Sequence, residues 1–341
     1  MKQAAQRILT GHRPTGPRHI GHLAGTLLNW ASLQDSHECY FLIADLHVLT
    51  TDYLHPGRIR ANILEVLADW LAAGIDPQRS RIVLQSAVPG HTQLNLLGML
   101  VSESRLRRVP TYKEQVQQLH LQPSLGLLCY PVLQAADILL YQAGAVPVGE
   151  DQLPHIELAR EIARRFNQLY GPLFPEPQAL LSSTPRLPGI DNRAMHTSYG
   201  NAIYLRDTSD ETARKVMSMY TDPTRIHASD PGRVEGNPLF IYLDTFNPDR
   251  DETAEFKQRY HAGKVGDVEI KVRLAGVLNR SLAPLRERRA ELMRHPGDLE
   301  AILMDGTRSA AALARETLAE AMERMGLSMG RNLRVSERLE E

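Results

Sequence analysis

The chain has only two cysteines in 341 residues, Cys39 and Cys129, and they stand in no metal-ligand spacing. That argues against a disulfide-stapled scaffold or a cysteine-built metal site, and predicts a reduced chain with two buried thiols. An excess of one charge is also missing: 39 lysines and arginines face 40 aspartates and glutamates. No global field therefore draws the chain to nucleic acid, and any RNA contact must use a local patch. Two arginine clusters qualify, Arg105, Arg107, Arg108 and Arg286, Arg288, Arg289. No apolar run approaches the length that spans a bilayer, roughly 18 residues or more. The opening Met-Lys-Gln-Ala-Ala-Gln-Arg lacks the apolar stretch of a signal peptide, so the expected location is the cytoplasm. Internal repeats and low-complexity tracts are absent. What remains, 43% hydrophobic and 23% charged residues, is ordinary for a globular enzyme, and the length suits two domains.

The first half alternates short apolar runs with helical periodicity, the pattern of a parallel sheet with crossover helices. Ile8-Leu9, Tyr40 to Ala44, Arg81 to Gln85 and Val146 to Val148 read as strands. Arg58 to Ala73, Gln93 to Val101, Ser124 to Gln142 and Leu153 to Leu169 read as helices. Tyr170 to Arg193, rich in proline, glycine and serine, reads as a connector. Beyond Ile203 the periodicity is helical throughout: Asp210 to Met219, Glu252 to His261, Asp267 to Glu291 and Leu299 to Met325, with a turn at Glu235 to Pro238. The expected class is α/β, followed by an all-helical C-terminal domain.

Residues 13–22 read Arg-Pro-Thr-Gly-Pro-Arg-His-Ile-Gly-His. Pro14, Thr15 and Gly16 suit a tight turn after the first strand, and Gly21 lets a ligand approach the backbone. His19 and His22 are three apart, on the first turn of the helix that continues to Leu33, so they share a face. A helix N-terminus offers free N–H groups and partial positive charge to phosphate. Two histidines there can stabilise charge building on a pentacovalent phosphorus. A bare His-x-x-His is usually a pair of surface histidines. The strand, the Pro-Thr-Gly turn and the small-residue helix Ala24-Gly25-Thr26 make this stretch resemble the signature of class I aminoacyl-tRNA synthetases.

A second constellation is Tyr130-Pro-Val-Leu-Gln-Ala-Ala-Asp-Ile-Leu-Leu-Tyr141, with Tyr130, Gln134 and Asp137 on one side of an apolar helix. A carboxylate amid alanine, isoleucine and leucine is costly to bury without a donor. It either pairs locally or accepts from a polar tip on a flat apolar ligand, such as an indole N–H. With Ala145 to Asn167, this helix closely resembles the tryptophanyl-tRNA synthetase family.

That resemblance implies a Rossmann-type catalytic domain over 1–205, a helical anticodon-binding domain over 206–304, a C-terminal helix near 305–330 packed back on the first, and a homodimer. It further implies that Asp137 binds the indole nitrogen and that Tyr130 and Gln152 bind the α-amino group. Leu9, His47, Val146 and Val148 would line the ring pocket beside Gln134, where many relatives carry methionine. Arg13, Pro14, Thr15, His19, Gly21 and His22 would hold adenosine and phosphate, Gly149, Glu150 and Asp151 the ribose side, and Arg186 would join the ATP contacts. Lys113 would reach the phosphates. ATP would bring its own Mg²⁺, with no protein metal site, and tRNA(Trp) would be the acceptor.

One motif departs from the pattern. Where the family reads Lys-Met-Ser-Lys-Ser, this chain reads Ala194-Met195-His196-Thr197-Ser198. Both lysines, which normally follow the triphosphate, are gone, although Met195, His196, Thr197, Ser198 and Ala194 hold the same places. Removing a preorganised transition-state donor typically costs about 10²–10³ in rate. Two readings fit: drift in a slower enzyme, or an auxiliary paralogue. The leading expectation is a tryptophan–tRNA ligase. The rivals are a tyrosine-specific enzyme and a non-catalytic tryptophan- or nucleotide-binding paralogue regulating a further protein.

Overall fold

The computed structural model describes residues 5–118, 124–182, 186–195, 199–222, 225, 227 and 229–327. Five strands form one parallel sheet: β1 Arg7–His12, β2 Glu38–Ile43, β3 Ser80–Leu84, β4 Ala145–Val148 and β5 Gln178–Leu181, in the order β3-β2-β1-β4-β5. The chain leaves β1 toward one edge and returns to build toward the other. The switch point lies between β1 and β4, where doubly wound sheets carry their ligands at the carboxyl ends.

Composition explains why these segments become buried strands. Cys39 to Ile43 has no outward polar face, as expected for a sheet covered on both sides. Pairing of β1 with β2 runs from Arg7–Glu38 to His12–Ile43, whereas β1 meets β4 in register only at Ile8–Ala145. Two residues on stands Pro147, which has no N–H to donate. Its carbonyl instead accepts the Thr10 hydroxyl at 2.9 Å. Beyond that contact the two strands lead into separate loops.

The crossover elements follow from periodicity. Residues 20–33 form α1, whose middle, Leu23–Leu27, is wound as a π-helix. α2 Ile59–Ala72 buries Ile63, Val66, Leu67, Trp70 and Leu71, and stops before Gly74, whose φ of +106° suits only glycine well. α3 Pro110–Gln118, α4 Leu125–Leu140 and α5 Leu153–Tyr170 complete the first half. The second half is helical: α6 Ser209–Met217, α7 Pro238–Phe246, α8 Arg250–His261, α9 Asp267–Arg294 and α10 Pro296–Arg324.

Four segments differ from the sequence reading, the first being α3 over Pro110–Gln118, which that reading assigned to no element. The expected connector 170–193 contains β5, and α7 follows the turn at Glu235 to Pro238. The expected helix 93–101 is a short helix, Gly90–Leu94, followed by the 3-10 segment Asn95–Leu100.

The last helix returns to the sheet. α10 lies along β3, where the Thr307 hydroxyl accepts the Leu84 N–H at 3.0 Å. At Gly306 the helix sits so close that a Cβ would overlap the Ile82 carbonyl. Gly306→Val should force α10 off the edge strand and cost roughly 1–3 kcal/mol. A thermal midpoint lowered by several degrees is the expected reading, with Gly297→Val, where a Cβ meets open space, much less affected.

Candidate active site

The signature stretch leaves β1 at the switch point. Thr15 N–H bonds the Arg13 carbonyl at 2.9 Å, closing the turn. Arg18 to Ile20 then run extended against residues 203–205, with Leu205 N–H on the Arg18 carbonyl and Ile20 N–H on the Ile203 carbonyl, both 2.9 Å. This pairing keeps His19 extended, so it caps α1 from outside instead of lying in the first turn, as its spacing suggested. The two rings still meet: the His19 N–H donates to His22 Nδ1 at 3.3 Å, and the ring centroids are 3.7 Å apart. A Cβ on Gly21 would sit 2.9 Å from His19 Nδ1 and 3.3 Å from Met195 Sδ. Glycine is thus required, and Met195 is seated on the signature turn. Ala194 beside it is exposed, as is Arg186. His196, Thr197 and Ser198 lie outside the described residues.

Under this turn lies a residue the sequence did not single out. His12 stacks on Trp30 at 4.5 Å, and its Nδ1 accepts the Trp70 indole N–H at 3.2 Å. Nε2 faces the Thr26 hydroxyl, which donates to the His22 carbonyl at 2.7 Å. Burial, with the charges of Arg18 and His19, holds His12 well below the ordinary histidine range, so it is neutral.

Asp137 is not the lone carboxylate of the helix pattern. Its Oδ2 meets His47 Nε2 at 2.9 Å, its Oδ1 meets His91 Nδ1 at 2.7 Å, and the Gln85 amide reaches both oxygens at 2.8 and 2.9 Å. Each donor sits on a different segment of the fold, which is why α4 alone hid them. An anionic acceptor requires both histidines to donate to it. His91 Nε2 meets the Tyr141 hydroxyl at 3.0 Å. Burial pushes Asp137 up, but the His47 and His91 hydrogen bonds more than reverse this and hold it at about 2. It stays ionised while almost fully buried.

Nearby, Tyr130, Thr111 and His155 form a triangle: Thr111 Oγ1 to Tyr130 hydroxyl 2.6 Å, Tyr130 hydroxyl to His155 Nε2 2.9 Å, and Thr111 Oγ1 to His155 Nε2 3.0 Å. Burial pushes His155 down to about 4, so it serves as a neutral partner. Burial raises the Tyr130 phenol, and the Thr111 bond and the Arg13 charge oppose it. Arg13 is exposed and donates to the Thr51 hydroxyl at 3.3 Å. Leu9 and Val146 are buried on the same side of the sheet, with Val148 packed against that cluster. Gln134 donates to Gln152 at 3.4 Å, and Gln152 to Asp151 at 2.9 Å. Gly149, Glu150 and Asp151 are exposed at the end of β4, and exposed Lys113 lies two residues after Thr111 on α3.

The structure therefore gathers Asp137 with His47, and Tyr130 with the Thr111 and His155 that sequence reading missed. The arginine clusters are mostly engaged internally. Arg105 forks onto Glu161, Arg107 binds Glu103, Arg286 binds Thr212 and Asn279, and Arg289 binds Asp69 and Glu65. Among the described residues no three His, Cys, Asp or Glu side chains converge as a metal site.

Because the Asp137 carboxyl sits near 2 when folded and near 4 when unfolded, the hydrogen bonds to its ionised form stabilise the fold above about pH 4 and are lost as pH falls toward 2. The shift corresponds to roughly 2 kcal/mol. In urea titrations Asp137→Asn should be less stable than the parent by about that amount at pH 6, with the gap closing between pH 4 and 2.

The comparisons agree with this geometry. The family model described as tRNA synthetases class I (W and Y) matches residues 1–283. The tryptophan–tRNA ligase of Chlamydia caviae is 51% identical over 340 residues, covering 97% of this chain and 99% of that protein. That of Treponema pallidum is 52% identical, covering 94% and 97%. A solved tryptophanyl-tRNA synthetase of Campylobacter jejuni, complexed with ADP and tryptophan, superposes with a TM-score of 0.85 at 33% identity, covering 94% of this chain and all of that one. The turn at the β1/β4 switch point, the buried carboxylate beside it and full-length similarity converge: the chain belongs to the class I aminoacyl-tRNA synthetases of the tryptophan and tyrosine group.

Proposed function

We propose that the chain is a tryptophan–tRNA ligase: the carboxylate of L-tryptophan attacks the α-phosphorus of ATP, pyrophosphate leaves, and the adenylate acylates tRNA(Trp). The observation that carries the specificity is Asp137, a buried anion held ionised by three donors. A carboxylate has about four lone-pair sites. Here His47 and Gln85 meet Oδ2 while His91 and Gln85 meet Oδ1, so an indole N–H would reach Oδ2 by taking the place of one of these donors. A phenol would present a hydroxyl at a different reach, and the similarity to full-length tryptophan ligases supports tryptophan over tyrosine.

The other roles follow from position. The Tyr130 hydroxyl, oriented by Thr111 and neutral His155, binds the α-amino group together with Gln152. Leu9, Val146 and Val148 shield the ring, and Gln134 borders it. The turn 13–16 and the start of α1 take the nucleotide, with His22 and His19 on the phosphates; Gly149 to Asp151 take the ribose. Lys113, Arg186, Ala194 and Met195 meet the leaving group, and the family pattern assigns His196, Thr197 and Ser198 to it as well. Magnesium arrives on ATP and neutralises charge. Positioning and charge stabilisation supply the catalysis, with no covalent enzyme intermediate. Transfer of the tryptophanyl group from the adenylate to tRNA, with AMP leaving, a homodimer and a cytoplasmic location complete the reading.

The lysine-free loop favours one second reading, a weakly catalytic or non-catalytic paralogue that regulates another protein. Tryptophan-dependent exchange of labelled pyrophosphate into ATP decides: exchange supports the ligase, and binding without exchange supports the paralogue. In the same assay Asp137→Ala should raise the tryptophan KM by about tenfold or more while changing the ATP KM little. Equal effects on both would remove Asp137 from recognition.

Restoring the missing charges tests the loop. A unit charge pair at about 4 Å is worth roughly 4 kcal/mol at an effective dielectric near 20, of which an exposed loop realises a part. Ala194→Lys with Thr197→Lys should speed pre-steady-state adenylation by about tenfold, with tryptophan affinity unchanged. No acceleration would mean that Lys113, Arg13 or Arg193 already meets the pyrophosphate.

A further inference from the structure

Asp69, on α2, is completely buried. Its Oδ2 accepts the backbone N–H of Arg18 at 2.7 Å, and its Oδ1 accepts Nε of Arg289 at 2.6 Å. Arg18 directly precedes His19, and Arg289 belongs to α9 in the helical second half. A second nitrogen of Arg289 binds Glu65, one turn earlier on α2, and Glu65 also faces Arg206 at 3.8 Å. One guanidinium from the helical half is thus forked over two carboxylates of a sheet-covering helix, and one of these holds the main chain of the signature stretch.

We propose that Arg289 is a positioning residue for ATP: through Asp69 it fixes the backbone of Arg18, and with it the approach of His19 to His22 toward the phosphates. The proposal rests on reading that turn as the phosphate site. It makes correct docking of the helical half a condition of nucleotide activation.

The physical basis is the cost of burying a carboxylate. Burial raises the Asp69 pKa; Arg289 is the largest opposing influence, followed by the Arg18 N–H and the Arg18 charge. The charged groups acting on Asp69 are therefore Arg289 from α9 and Arg18 from the loop, with Glu65 on its own helix and Arg206 beyond it. Without Arg289 the carboxyl moves further toward its neutral form. A neutral oxygen is a weaker acceptor than a carboxylate, so the grip on Arg18 loosens. Sequence spacing gave no hint of this, because residues 18, 69 and 289 lie on three distant segments.

The experiment compares full-length wild type, Arg289→Met, Arg289→Lys, Asp69→Asn and Glu65→Gln in tryptophan-dependent pyrophosphate exchange across pH, with amide hydrogen exchange of the 13–22 stretch and thermal melts. Arg289→Met should raise the ATP KM roughly fivefold or more, the size of a coupling between distant sites, with the tryptophan KM within about twofold. It should also show a fall in kcat/KM for ATP on acidification at pH values where wild type is level, and faster exchange at the Arg18 amide. Arg289→Lys should restore the level profile, because charge is kept. Asp69→Asn should show the raised ATP KM without the acid limb, and Glu65→Gln should stay near wild type. The proposal is overturned if Arg18 exchange is unchanged in Arg289→Met, if both KM values rise together, or if the ATP KM per folded molecule is normal while His22→Ala raises it. If His22→Ala changes neither the rate of exchange nor the ATP KM, the phosphate-turn reading has failed, and the proposal falls with it.

Discussion

The parting of β1 and β4 is the constraint on which the site depends. A parallel pair that continued in register past Ile8 and Ala145 would zip the switch point shut. Pro147 prevents this by withholding a donor, and Thr10 satisfies its carbonyl from the side chain. Two loops can then leave the sheet divergently, one carrying Arg13 to His22 and the other Gly149 to Gln152. Each wall of the crevice is thereby tied to a strand end, the most rigid support the fold offers.

Around that crevice the polar groups are settled in neutral or fixed states. His12 and His155 are held neutral by burial, while Asp137 is held charged by two histidines and a glutamine. Groups whose protonation is decided by the fold need no rearrangement when a ligand arrives. This is what preorganisation means for a reaction that relies on placement and electrostatics instead of a nucleophilic side chain. The same logic extends outward through Asp69, which is buried among apolar helices and is compensated by arginines from opposite sides.

Much of this was legible in the sequence because it is local. Apolar runs located β1 to β4, helical spacing located α2, α4 and α5, and the Pro-Thr-Gly turn before His-Ile-Gly-His marked the switch-point loop. What escaped was either edge structure or long-range pairing. β5 is a four-residue edge strand after two prolines, too short to stand out from a connector. α7 was hidden although its start was written plainly: Asn237 caps the Leu239 N–H and Pro238 opens the helix. The partners of Asp137 could not be read from α4, since His47, Gln85 and His91 lie 90, 52 and 46 residues away. His19 was placed one position wrong for a similar reason. Its backbone is claimed by residue 204, and helix periodicity carries no information about that bridge.

The contact of His12 with the rings of both Trp30 and Trp70 has an optical consequence. These are the only tryptophans in the chain, both are buried, and they lie 5.5 Å apart, edge to face. Both touch the imidazole that underlies the signature turn, and neither is among the residues around Asp137. Tryptophan emission from the polypeptide is therefore a sequence-encoded reporter of the signature turn on one side of the crevice. Because that imidazole remains uncharged, it is not itself a source of imidazolium quenching as the surrounding solution is varied through neutrality.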